Sequence, residues 1–189
     1  MFKLLRPALV LFAALSVIAG LVYPLVVTGA TRAAFADQAA GSLVMRNGKA
    51  VGSSLIGQRF SDPAHFWSRP SATSPMADNA TASSGSNLGP LNPALIDAVR
   101  GRVEALRQAD PDNQAPIPVD LVTASASGLD PDISVAAALY QMPRIARLRH
   151  LPVERVQALI EAHAQGRILG FIGEPRVNVL ALNLALDGA

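Results

Sequence analysis

The side chains that could do chemistry in this chain fall into small, incomplete sets. Ser125-Ala126-Ser127-Gly128 lacks the leading glycine of a GxSxG nucleophile elbow. A serine nucleophile also needs a base within reach, and His150 or His163 would have to be brought to it by the fold. The three histidines, His65, His150 and His163, share no ligand spacing such as HExxH, and surface or capping roles suit them better than metal ligation. Asp130 and Asp132 lack the further oxygen ligands of a calcium loop, so capping of a helix is the better reading of Asp130. Glu104, Glu154 and Glu161 read as solvated helix positions. No GxxxxGK[ST] phosphate loop is present. The absence of cysteine removes disulfides, thiolate nucleophiles and Cys-based zinc sites. These residues predict neither a catalytic centre nor a metal site.

Two polar features remain. Arg144, Arg147 and Arg149 form a basic run with His150 and Arg155. Such a run reads as a solvated helix face, or as a docking surface for an acidic partner or lipid headgroups. Gln141 stands two residues before Pro143, and is either a buried, kink-associated amide or a ligand contact.

The element that places everything else is Pro7 to Thr31, which holds no charged side chain. Twenty-five helical residues span about 37 Å at roughly 1.5 Å each, enough to cross a hydrocarbon core of about 30 Å with some tilt. Twelve of them are Leu, Ile, Val or Phe, which contribute on the order of −4 to −7 kcal/mol towards insertion. Lys3 and Arg6 precede the run, and Arg32 follows it, offset by Asp37. Retention of positive charge in the cytoplasm predicts residues 1–6 inside, a transmembrane helix over 7–31 and residues 32–189 outside. The competing reading is a secretory signal cleaved at Ala34-Phe35-Ala36, but apolar signal cores run about 7–15 residues, far shorter than this one. Within the span, Ala13, Ser16 and Gly20 share a face of small side chains that would let another helix approach closely. Pro24 would bend the helix, and Thr28 could satisfy a freed carbonyl.

Lys3 and Arg6 account for the whole formal charge of +2, so the outer domain is neutral and carries no electrostatic footprint for nucleic acid. Helix is expected to continue over 32–41 to Gly41. Asn47-Gly48 between two short apolar runs predicts a hairpin. Residues 61–93 read as a long irregular stretch. Asn92-Pro93 opens a helix that ends near Asp110, with Asn as N-cap and Pro at the first helical position. Val119 to Thr123 is a strand candidate. A second helix starts at Asp130-Pro131 or Ser134, and Pro143 interrupts or kinks it. A third runs from Pro152 to Ala164, with Val153, Val156, Leu159 and Ile160 inward and Gly166 as its stop. Val177 to Leu186 fits strand at its start and helix beyond, with helix favoured. The class is α+β: one N-terminal transmembrane helix, then a single extracytoplasmic domain with a small β component and about three to four helices.

Several uncommon strings lie in a set order: Tyr23-Pro24-Leu25, Gly52-Ser53-Ser54-Leu55-Ile56-Gly57-Gln58, Phe66-Trp67-Ser68-Arg69-Pro70-Ser71, Gly85-Ser86-Asn87-Leu88-Gly89-Pro90, Asp120 to Ser125, Gly128-Leu129-Asp130-Pro131 and Gly173-Glu174-Pro175-Arg176-Val177-Asn178-Val179. Together they resemble the C subunit of the Kdp potassium-transporting P-type ATPases, from the apolar helix to the C-terminus. The pattern departs locally at Asp78 and Ser84, where an aromatic residue and a glycine would be expected. The resemblance implies a non-catalytic, single-pass subunit of a bacterial inner-membrane potassium importer. Its partners would be a channel-like subunit that carries K+ and a pump subunit that hydrolyses ATP. It also implies a role in assembling and stabilising the complex and in raising the pump's ATP affinity, with Leu139-Tyr140-Gln141 matching the stretch tied to nucleotide. Two other functions stay open on the residues alone: an anchored serine hydrolase using Ser125 or Ser127, and a binding protein released near Ala36.

Overall fold

The computed structural model describes residues 2–189. It divides into two compact units, one running through Leu43 and the other Val44–Ala189.

The first unit is helical: α1 (Phe2–Val17), a π turn (Ile18–Val22), α2 (Tyr23–Ala34) and the short α3 (Ala36–Ala39). Lys3–Ala34 is long and apolar enough to cross a membrane, and none of it is buried within the chain. Pro24 has no N–H for the carbonyl of Gly20. The backbone answers with a wider turn in which the Tyr23 N–H reaches the Ile18 carbonyl. Thr31, rather than Thr28, bonds back onto the helix, at 2.9 Å from the Val27 oxygen and 3.1 Å from that of Thr28. The expected run to Gly41 is broken at Phe35 (φ −139°), so the segment before Gly41 is a separate four-residue helix.

The second unit opens with the hairpin β1 (Leu43–Arg46) and β2 (Lys49–Ser53). Asn47 (φ 52°) and Gly48 (φ 75°) both take the left-handed region that a two-residue turn between right-twisted strands requires. Residues 54–92 hold one 3₁₀ turn, Ala80–Ala82. Side chains fasten this long stretch. Ser71 Oγ donates to the Gly128 carbonyl at 2.7 Å and accepts from the Asp78 N–H, and Ser84 N–H bonds Ser127 O. Gly128 has φ +67°, and a Cβ there would stand 2.6 Å from the Ser84 carbonyl oxygen. That position is glycine because the two loops meet backbone to backbone.

α4 (Pro93–Ala109) starts as read, the Asn92 side chain accepting from Ala94 N–H with Pro93 at the first position. The strand candidate 119–123 is not a strand: Val119–Leu121 form a 3₁₀ turn. The apolar run there is too short to fix a period, and the Asp120 carboxylate is occupied elsewhere, accepting from both N–H and hydroxyl of Ser134. Ser134 in turn caps α5 (Val135–Arg149) by accepting from Ala137 N–H. Asp130 caps no helix. It makes a local turn with Asp132 N–H and holds Arg69.

α5 passes through Pro143 without ending. Ala137 and Ala138 before the proline and Ile145 and Ala146 after it lie in one core, and that packing outweighs the lost backbone bond. His150 terminates the helix in the left-handed conformation. α6 (Val153–His163) buries Val156 and Ile160 fully, each worth about 1.5–3 kcal/mol. Val153 stays partly exposed, and the chain turns extended at Ala164, two residues ahead of the expected stop at Gly166. The 177–186 ambiguity resolves into both forms. β5 (Arg176–Asn178) is followed at once by α7 (Val179–Leu186), whose N-cap is Asn178. β5 lies between β3 (Asp132–Ser134) and β4 (Ala164–Gln165), antiparallel to both, with Ile133 opposite Val177. The architecture is α+β, with helices packed around a small sheet.

Candidate functional site

Gln141 and Arg144 are one helical turn apart on the core-facing side of α5, and Asn183 faces the same core from α7. All three are 2% exposed. Between them runs Phe66-Trp67, which belongs to no strand among the described residues. A buried backbone without a ladder must find side-chain partners, and here two carboxamides supply them. Asn183 Oδ1 accepts from Phe66 N–H at 2.8 Å while its Nδ2 donates to the Phe66 carbonyl at 3.0 Å. Gln141 Oε1 accepts from Trp67 N–H at 2.8 Å while its Nε2 donates to the carbonyls of Trp67 (3.2 Å) and Ala137 (3.3 Å). Each amide side chain thus imitates a neighbouring strand for one residue.

Arg144 closes the network. Its Nη2 donates to Gln141 Oε1 at 2.8 Å and to the His65 carbonyl at 3.0 Å, and its guanidinium lies 4.5 Å from the centre of the Trp67 ring. Burial pushes its pKa down to about 10, against the opposing pull of the Asp110 charge. Neither reading of the basic run as a continuous surface holds for its whole length. Arg144 is buried, Arg147 bonds Asp110 at 2.7 Å, and Arg149 bonds Asp187 and the Ala64 carbonyl at 2.8 Å each.

Around this network Asp187 is a hub, bonded by Arg46, Arg149 and His65 at 3.0, 2.8 and 3.0 Å. Burial alone would raise its pKa, but the hydrogen bonds from Arg149, Arg46 and His65 together hold it below the ordinary 3.8. A carboxyl whose folded pKa is depressed adds stability above its unfolded pKa and loses it as pH falls. We therefore expect the domain to weaken as pH drops from about 5 to below 3.8. Asp187→Asn should reduce that loss, by no more than about 1 kcal/mol because solvent screens these pairs. Urea unfolding at pH 7 and pH 3.5 measures it. An unchanged pH dependence in the variant would remove Asp187 from the acid response.

The other sequence candidates do not assemble a reactive centre. Ser125 Oγ accepts from Gly128 N–H at 2.9 Å and Ser127 Oγ from Leu129 N–H at 3.1 Å. Among the described residues neither serine bonds a histidine; His163 Nδ1 meets the Leu159 carbonyl instead. No group of three or more potential metal ligands occurs among the described residues. Beside Trp67 lies a cleft of about 380 Å³, with Arg59, Arg69, Arg102 and Asp78 on its walls. Burial there raises the Asp78 carboxyl pKa against the pull of Arg59. In the first unit, Ala13 and Ser16 lie on α1 and Gly20 within the π turn, all exposed. A Cβ at Gly20 would meet nothing within 4 Å of its own chain.

The place of Gln141 two residues before Pro143 is what singles it out in the sequence. Sequence does not show that Gln141 meets Trp67 and Arg144, or that Asn183 holds the adjoining Phe66, because loop 66–67, α5 and α7 are three separate segments. One signal was available: Asn183 is the single polar residue in the otherwise apolar α7. A carboxamide in such a helix must find a partner in the core.

The residues of this network span most of the second unit, and the relatives match at least as widely. A family model described as "KdpC: K+-transporting ATPase, c chain" matches residues 5–188. The potassium-transporting ATPase KdpC subunit of Variovorax paradoxus (strain S110) is 68% identical over 189 residues, which cover 100% of this chain and 98% of the relative. That of Herminiimonas arsenicoxydans is 66% identical, covering 97% and 96% of the two chains, and that of Polaromonas naphthalenivorans (strain CJ2) is 65% identical, covering 99% and 95%. With one helix among the described residues long and apolar enough to cross a membrane, a domain whose two buried carboxamides are bonded to its own backbone, and this match over residues 5–188, the chain belongs to the KdpC family.

Proposed function

We propose that this chain is the accessory subunit that assembles and stabilises an ATP-driven potassium uptake complex. Its helix is the single pass through the bacterial inner membrane, with the N-terminus in the cytoplasm and the domain outside. A channel-like subunit carries K+ and a pump subunit hydrolyses ATP. This chain touches neither reaction. The observation that carries the reading is the KdpC match over residues 5–188 of a chain whose one long exposed apolar helix, Lys3–Ala34, needs a bilayer or another helix to cover it.

The domain raises the ATP affinity of the pump by favouring one state of the complex. A tenfold gain in affinity requires only about 1.4 kcal/mol of preference for the ATP-binding state. Nothing in that mechanism needs the domain and the nucleotide on the same side of the membrane. Gln141 then acts by holding Phe66-Trp67 in place, and its effect on nucleotide is transmitted through the fold.

Purification of the co-expressed complex through a tag on this chain tests the reading. The potassium-carrying and ATP-hydrolysing chains should come with it in fixed ratio. Omitting this chain should raise the ATP concentration for half-maximal hydrolysis by about tenfold. No co-purification, with an unchanged ATP requirement, would refute it. Gly20→Leu adds a local test. Its own chain leaves room for the new side chain, so a loss of partner recovery of about tenfold would report a blocked approach of a neighbouring helix. Full recovery would remove the Ala13, Ser16 and Gly20 face from the interface.

A further inference from the structure

The cleft beside Trp67, about 380 Å³, is walled by the long stretch 54–92, by α4 and by Leu121. That is the size of a small-molecule site. Three cations line it, Arg59, Arg69 and Arg102, in a domain that carries no net formal charge. Arg69 pairs with Asp130 at 2.9 Å, yet its Nε is buried with no hydrogen-bond partner among the described residues. Arg102 donates to a neutral acceptor, the Val122 carbonyl at 2.8 Å, and burial draws its pKa down. Among the described residues neither Arg59 nor Arg102 forms an ion pair. A cation withdrawn from water without a counter-charge is unfavourable, and a buried donor left unbonded marks a place that a ligand atom can fill.

Charge and lining together narrow the ligand. Asp78 is the one carboxylate on the walls, and it is drawn to Arg59. With Arg69 matched by Asp130, two cations stand against one anion, an excess of a single positive charge. One carboxylate satisfies that excess, and the fork of a guanidinium fits it through two parallel bonds. The second charge of a phosphate monoester would meet Asp78. Beside the charges the walls are apolar, with the rings of Phe60 and Trp67 next to Leu106 and Leu121 of the core. Such a lining suits an aromatic body. The walls are also held in advance. Gln141 fixes the Trp67 backbone, the Trp67 ring N–H donates to the Asp62 carbonyl at 3.0 Å, and the Asp78 N–H donates to Ser71 Oγ at 3.0 Å. A preformed site loses little conformational freedom on binding. We propose that this cleft binds a small aromatic monocarboxylate, whose carboxylate is held by Arg59 and Arg102 while its ring lies against Phe60 and Trp67.

Titration of the purified full chain in non-ionic detergent tests this, with 3-phenylpropanoate as the probe. Trp67 is the only tryptophan in the chain and stands on the wall of the cleft, so its fluorescence reports binding. We expect saturation with a Kd of about 0.1–1 mM, and binding of the neutral 3-phenylpropanamide weaker by about tenfold or more. Arg59→Gln breaks no ion pair among the described residues and should weaken binding about tenfold while leaving the urea midpoint unchanged. Asp78→Asn should tighten binding several-fold by removing the opposing charge, and asparagine accepts the φ of 55° held there. A purely structural role for the two residues would not move affinity in opposite directions. No saturation up to about 10 mM, equal binding of the amide, tighter binding of phenyl phosphate, or an affinity that either substitution leaves unchanged would each overturn the proposal. The site stands apart from the assembly role, so its failure would leave the accessory-subunit reading intact.

Discussion

Gln141→Ala is expected to lower the unfolding free energy of the domain by on the order of 3 kcal/mol. The estimate follows from what the amide leaves behind. Removing it strips partners from the half-buried Trp67 N–H and carbonyl and from one buried Arg144 donor. A buried group left unpaired costs about 1–3 kcal/mol, and the three losses share one relaxed site, so they do not add fully. Trp67 is the only tryptophan in the chain, so its fluorescence during urea unfolding reads the site directly. Asn183→Ala should cost a similar amount through Phe66, and the double variant should cost less than the sum if the two carboxamides hold one segment. A Gln141→Ala domain as stable as the parent, yet unable to sustain the pump's ATP affinity, would show Gln141 acting on nucleotide by contact rather than through the fold.

Arg144 gives the second large effect, and the choice of replacement matters more than the loss of charge. Arg144→Ala should destabilise by about 3–5 kcal/mol, because it empties a space the size of a long side chain against the Trp67 ring. Arg144→Met should cost far less, about 1 kcal/mol. The guanidinium is held by two uncharged oxygens and a ring, and burial has already pushed its pKa down to about 10. Much of what it gains from its contacts is therefore cancelled by desolvation, and an apolar residue of similar length fills the volume without that penalty. Comparable losses in the two variants would show that the hydrogen bonds, not the packing, dominate.

The long elements were legible because their signals are local. The apolar run announces its own helix. Asn92-Pro93 and Asn47-Gly48 carry the backbone preference of the cap and the turn they form. What stayed hidden depends on distant partners. β3 and β5 have three residues each, too few for a period, and exist because Ile133 and Val177 meet across 44 positions of chain. Residues 119–123 look like strand until Asp120 is seen bonded to Ser134. The basic run on α5 looks solvated because the carbonyls and carboxylates that absorb it come from 64–65, 110 and 187. Gln141 could be singled out, but the extended segment it fastens lies 74 residues earlier, at Trp67.

The wide turn at Ile18–Val22 holds one more residue than an ordinary helical turn. In effect it is a spare residue set beside Pro24, where the ring would otherwise crowd the preceding carbonyl. The two belong together. A homologous span with no proline at this point could omit the spare residue and still present its two ends in the same angular phase. Adding or removing a residue anywhere else in the span would swing one end by about 100° relative to the other.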